Sequence, residues 1–131
     1  MTMTIHEIIK YVMDSDNVNG LTFDVIDENK NELKMSTKEY IQFMYKSLQD
    51  KRAAVEEFLK TQVRDNDTEV IWSLERSLER LDDYLKQYKD FNNYDNPNAV
   101  KDILDKSIEL YSDLTIVFNS IVPVAHLDSV Q

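Results

Sequence analysis

Apolar residues recur along most of this chain at intervals of three and four, and in one early stretch at intervals of two. Ile5, Ile8, Ile9, Val12 and Met13 fall on one face at helical spacing. Thr4 and Glu7 in front of them have the Ser/Thr-x-x-Glu arrangement, in which a hydroxyl and a carboxylate satisfy the free amides of a first helical turn. "DSDNVNG" then stops this helix with residues suited to turns. Beyond Gly20, Leu21, Phe23 and Val25 alternate with Thr22, Asp24 and Ile26, and Leu33 and Met35 alternate with Lys34 across the polar tract "DENKN". The pattern predicts a β-hairpin whose apolar positions are Phe23, Val25, Leu33 and Met35. A two-stranded hairpin is marginal alone in water, so this one is expected to lie on the rest of the protein or to pair with a second copy.

From Ser36 onward the period is helical. Ser36 and Glu39 repeat the capping spacing, and Ile41, Met44, Leu48, Val55, Phe58 and Val63 mark a helix reaching about Arg64. "RDNDT" breaks it, with Asp67 as the expected cap of the next. Ile71, Leu74, Leu78, Leu81, Leu85 and Tyr88 form the most regular stripe in the chain. Asn96 and Pro97 open a last helix, because proline at the first helical position loses no intrahelical hydrogen bond. Its apolar positions are Val100, Ile103, Ser107, Tyr111, Leu114, Phe118 and Ile121, ending at Pro123. Three helices of roughly 24 to 28 residues, each roughly 36 to 42 Å long, joined by short connections, imply an antiparallel arrangement. The expected fold is therefore mainly α. An elongated antiparallel three-helix bundle spans residues 37–122, a short helix and β-hairpin form an appendage over 1–36, and 123–131 is a loosely held tail.

Composition narrows the chemistry. At 131 residues and 42% hydrophobic content the chain is sized for a single domain with one core. Its 25 acidic and 15 basic residues give a formal charge of −10, which opposes direct binding to nucleic acid or an anionic membrane surface. No cysteine is present, so thiolate catalysis and zinc–sulfur sites are excluded. The longest apolar run, "LTIVFNSIVPVA", is too short and interrupted to cross a bilayer, and the start has no basic, cleavable leader, so the expected location is the cytoplasm. One glycine cannot build a phosphate-cradling loop.

The remaining metal motifs are incomplete. His6-Glu7 begins the zinc-protease pattern, but Lys10 stands at the second ligand position and the other histidine, His126, is in the tail. Counting back from Gly20, a calcium loop would require Asp and Glu where Ser15 and Ile26 stand. Glu79-Arg80-Leu81-Asp82 resembles the Glu-x-x-Asp pattern of the all-helical, magnesium-dependent nucleotide pyrophosphohydrolases. Their other pattern, Glu-x-x-Glu, is broken at Glu56-Glu57, which follow Ala53 and Ala54. No metal or cofactor is assigned.

The distribution of charge is more informative than its total. Residues 37–64 carry four acids and six bases, net +2, whereas residues 65–113 carry thirteen acids and six bases, net −7. Away from the apolar stripes, Glu75, Glu79, Asp82 and Asp83 form one carboxylate ridge and Asp102, Asp105, Glu109 and Asp113 another. Arg76, Arg80, Lys101 and Lys106 interleave with them. Tyr40, Tyr45, Tyr84, Tyr88 and Tyr111 sit at stripe positions or beside them, where tyrosine buries its ring and keeps a wet hydroxyl.

In size and style this short, acidic, cysteine-free chain, rich in Lys, Asn, Ile and Asp, resembles the small inhibitors that phages and mobile elements direct against host defences, the anti-CRISPR and anti-restriction proteins. That resemblance implies a non-enzymatic protein-binding module whose ridges or hairpin edge engage a protein partner with a basic surface. The alternative is a toxin-immunity protein or secretion chaperone binding through an apolar groove. A homodimer using the Ile71-to-Tyr88 stripe as a seam is a further expectation, and the magnesium enzyme a lesser one.

Overall fold

A computed structural model describes residues 4–26, 29–61 and 68–121, with side chains through residue 117. The chain is mainly helical, with four helices and one two-stranded antiparallel hairpin. In order these are α1 (Ile5–Met13), a 3-10 turn (Val18–Gly20), β1 (Thr22–Ile26), β2 (Glu32–Ser36), α2 (Thr37–Thr61), α3 (Thr68–Tyr88) and α4 (Pro97–Ile121). The expectations for Val63, Arg64, Asp67, Pro123 and the tail lie outside the described residues, as do those for the side chains of Phe118 and Ile121.

The helix starts follow the chemistry of their caps. Thr4 Oγ1 accepts the Glu7 amide at 3.1 Å while Glu7 Oε1 accepts the Thr4 amide at 3.2 Å. Ser36 and Glu39 repeat this reciprocal pair at 3.2 and 3.0 Å. The same contact holds the Glu39 carboxyl below its ordinary value, through the Ser36 amide first and its hydroxyl second. Asn96 Oδ1 accepts the amides of Asn98 and Ala99 at 3.1 and 3.3 Å, and Pro97 occupies the first helical position. At the other end of α1, Lys101 Nζ donates to the Met13 carbonyl at 2.9 Å, placing a cation on the negative end of that helix.

The hairpin register pairs Phe23 with Met35 and Val25 with Leu33, so these four residues share one face. Asp24 lies opposite Lys34 on the other face. Lys30, in the connection, takes a left-handed conformation with φ 64°, whereas Gly20 does not. The glycine's missing Cβ instead leaves room for the Asn17 amide: a Cβ at residue 20 would lie 2.5 Å from Asn17 Nδ2, and that exposed side chain would have to turn away.

α2, α3 and α4 each contact the other two, and α1 packs on α4. Tyr45 on α2 donates to the Leu85 carbonyl of α3 at 3.0 Å, and Arg52, two turns further along α2, bonds Asp82, nearer the start of α3. The two helices therefore run in opposite directions. Between α3 and α4, Tyr88 reaches Asp102 and Arg80 reaches Asp113, both at 3.0 Å, with the same reversal.

One core joins all of this. Leu48, Leu74, Leu81, Leu104 and Val55 are fully buried, and Val12 and Val18 from the N-terminal segment are buried in the same cluster. Each such side chain contributes about 1.5–3 kcal/mol relative to exposure. On the regular α3 stripe Leu74, Leu81 and Tyr88 are buried in this core, and Leu78 and Leu85 pack against it half-buried. On α4 the buried arc is wider than the predicted stripe, because Leu104, Ile108 and Leu110 are buried as well.

Thr37 connects the N-terminal segment to the helices. It is fully buried at the start of α2, and its hydroxyl donates to the Val18 carbonyl at 2.5 Å and lies 3.5 Å from that of Leu21. Thr37→Val keeps the shape and deletes the donor, leaving the Val18 carbonyl with only the long bond from the Leu21 amide at 3.4 Å. The expected cost is about 1 kcal/mol, read as a lower urea midpoint with an unchanged slope. Lys30→Gly should move the midpoint the other way by about 0.5–1 kcal/mol, since relief of the left-handed strain exceeds the added chain entropy of glycine.

Candidate interaction surface on α3, α4 and the hairpin

The inward turn of Leu74, Leu81 and Tyr88 places Glu75, Glu79, Asp82 and Asp83 on the outer side of α3, where all four are exposed. On α4, burial of Val100, Ile103, Ser107 and Leu114 leaves Asp102 and Glu109 exposed and Asp105 and Asp113 half-buried. The eight carboxylates are not equivalent. Asp82 is bonded by Arg52, Asp113 by Arg80 at 3.0 Å, and Asp102 by Lys106 at 3.4 Å and by the Tyr88 hydroxyl at 3.0 Å. Glu75, Glu79, Asp83, Asp105 and Glu109 make no ion pair among the described residues.

Asp83 and Glu109 rim a groove of about 220 Å³ between α3 and α4, floored by Tyr84, Tyr88 and Leu110. Arg80 and Lys106 also stand on this rim, but each is already committed to a carboxylate of the ridge. The groove therefore presents two uncompensated acids beside two neutralised bases. The Lys106 ammonium also lies 5.7 Å from the centre of the Tyr88 ring, a cation over an aromatic face.

Arg52 is a charge node that sequence periodicity did not reveal. Its guanidinium bonds Glu56 on its own helix at 2.6 Å and Asp82 on α3. Lys60 adds a second cation to Glu56 at 3.0 Å. Hydrogen bonds from Lys60, then Arg52, hold the Glu56 carboxyl below its ordinary value, while donation to Asp82, then Glu56, raises the Arg52 guanidinium. Glu56 and Asp82 belong to the two segments compared above with magnesium-binding patterns, and here both face a cation of the chain itself. Among the described residues no three His, Cys, Asp or Glu side chains converge on a point where a metal could sit.

Beneath the ridges runs a series of rings. Tyr45, Tyr84, Tyr88, Phe91 and Tyr94 follow one another with centroids 5.1–6.1 Å apart. Tyr45 and Tyr88 find hydroxyl partners, whereas the Tyr84 hydroxyl is buried without a hydrogen bond of good geometry. Ser107 lies close enough to interact with it, but the Ser107 hydroxyl donates to the Leu104 carbonyl at 3.1 Å. Burial drives the Tyr84 phenol well above its ordinary value.

At the hairpin, Phe23 is buried. It stacks on Tyr40 with centroids 4.2 Å apart and planes within 4°, and Tyr11 meets it edge-on at 6.3 Å. Cover thins from there: Met35, opposite Phe23, and Val25 are half-buried, Leu33, opposite Val25, is 38% exposed, and Ile26 on the other face is 68% exposed. Trp72, which carried no periodic signal, is 62% exposed at the start of α3, with the Arg76 guanidinium 5.5 Å from its ring centre. No helix among the described residues is long and apolar enough to cross a membrane.

Compared with known proteins, the chain matches no family model, no curated protein and no solved structure.

Tyr40 gives the hairpin anchor a pH signature. Burial, reinforced by Tyr111, raises its phenol from 10 to about 12. Between those values the unfolded chain releases a proton that the folded chain retains, so stability is intact below pH 10 and falls as pH rises toward 12. The expected loss is on the order of 2 kcal/mol, measured by urea unfolding at stepped pH. Tyr40→Phe should flatten that share of the decline.

Proposed function

We propose that this protein is a non-enzymatic, acidic protein-binding module whose outer α3 and α4 faces engage a partner with a basic surface. The partner class that fits is a host defence protein that handles nucleic acid, which would make the chain an inhibitor of the anti-CRISPR or anti-restriction type. In this reading α2, α3 and α4 form an elongated antiparallel three-helix bundle, a rigid support for rows of charge. The protein acts in the cytoplasm.

One observation carries the proposal: five carboxylates, Glu75, Glu79, Asp83, Asp105 and Glu109, remain outside the internal ion pairs on two adjacent helices. Their uncompensated charge favours a basic surface and speeds encounter with it. Arg52 supports the non-enzymatic reading, since it already supplies the cation between Glu56 and Asp82.

The test is capture from lysate of the native host by the immobilised chain and by an Asp105→Lys/Glu109→Lys variant, at low and high salt. A nucleic-acid-handling protein should be retained by the wild type at low salt. It should be lost at high salt, and weakened at least tenfold by the double reversal, since turning two attractions into two repulsions need cost only about 1.4 kcal/mol in total for that factor. Retention indifferent to both changes would exclude the acidic faces as the interface.

A further inference from the structure

We infer that the outer edge of β1 is a strand-addition site for an extended partner segment that alternates apolar and basic residues. This surface is separate from the α3 and α4 faces and does not depend on their role.

The sheet described here has two strands, so β1 pairs with β2 on one side only. Among the described residues no other element hydrogen-bonds to the backbone of Thr22–Ile26. An edge of this kind presents unpaired amides and carbonyls at strand spacing. Apolar surface of β1 itself is left uncovered on Ile26, at 68% exposure. A third strand would extend cover outward from the Phe23–Tyr40 stack, and three strands are the usual minimum for an independently stable sheet.

The neighbour that β1 already has indicates the chemistry of the missing one. Val25, Asp24 and Phe23 face Leu33, Lys34 and Met35, an apolar–basic–apolar sequence that sets a cation against Asp24. β1 itself contains Asp24 and no basic residue, so a new strand on its other side meets the same requirement. Charge also disfavours a fully overlapped second copy. Symmetric antiparallel pairing of β1 with itself about its centre sets Asp24 against Asp24, and the same pairing of β2 sets Lys34 against Lys34. Pairing β1 with the β2 of another copy is head-to-tail and open-ended, a route to fibres rather than a closed assembly. The occupant is a foreign segment.

Because edge recognition is directed at the main chain, a designed peptide suffices as probe. The full chain, ¹⁵N-labelled, is titrated with acetyl-Lys-Val-Lys-Val-Lys-Val-Lys-amide and with the same peptide carrying Glu for Lys. The expected result is shift changes and slowed amide exchange in Thr22–Ile26 with the lysine peptide alone. Asp24→Lys should weaken its binding roughly fivefold or more, and Asp24→Asn by a smaller factor. Three results would overturn the inference: unchanged Thr22–Ile26 amides, equal response to both peptides, or concentration-dependent self-association through these same amides. Responses confined to α3 and α4 would also overturn it while leaving the helical faces as the docking surface. Conversely, a β1 response that persists in the Asp105→Lys/Glu109→Lys variant would hold even if host capture by those faces failed.

Discussion

Burial of α4 against all three other helices is the constraint on which the rest of the structure depends. A helix with one neighbour buries a narrow stripe, whereas α4 buries Val100, Ile103, Leu104, Ser107, Ile108, Leu110 and Leu114. α1 can dock there because Val12 fits into the same core and Lys101 caps its last turn at the Met13 carbonyl. Once α1 is fixed, the 3-10 turn follows, with Val18 buried and its carbonyl held by Thr37. The hairpin is then delivered to Tyr40. The N-terminal third is positioned by a helix almost a hundred residues away in sequence.

The same constraint governs electrostatics. With so much of α4 buried, its polar residues are confined to a narrow outer arc, beside that of α3. Crowding like charges there is costly, and the molecule offsets part of the cost by drawing Arg52, Arg80 and Lys106 into the ridges. The pairs are at least partly exposed, so each adds little stability. Their larger effect is selective: they remove three carboxylates from the outward field and leave five.

Much of this was legible in the sequence, because caps and periodicity are local. Thr4, Ser36 and Asn96 begin their helices as their side-chain chemistry dictates, and the alternation of Phe23 and Val25 with Leu33 and Met35 gave the hairpin register its inner face. The eight carboxylates lie on the outer faces or at their margins. What was not legible is whatever requires a third dimension. Leu104, Ile108 and Leu110 fall off a two-neighbour stripe, and only the docking of α1 explains part of that width. Arg52 reads as an ordinary charged position until Asp82 arrives from another helix. Trp72 has no periodic partner, and its exposure depends on which faces of α3 its neighbours cover.

That exposed indole has a practical consequence. It is the single tryptophan of the chain, with 62% of its surface in solvent and a guanidinium over its ring. Its emission is already that of a hydrated fluorophore in the native state, so denaturation changes it little. The intrinsic optical reporter of this protein is therefore sensitive to what settles on the start of α3 and nearly blind to loss of the core, which the buried tyrosines register instead.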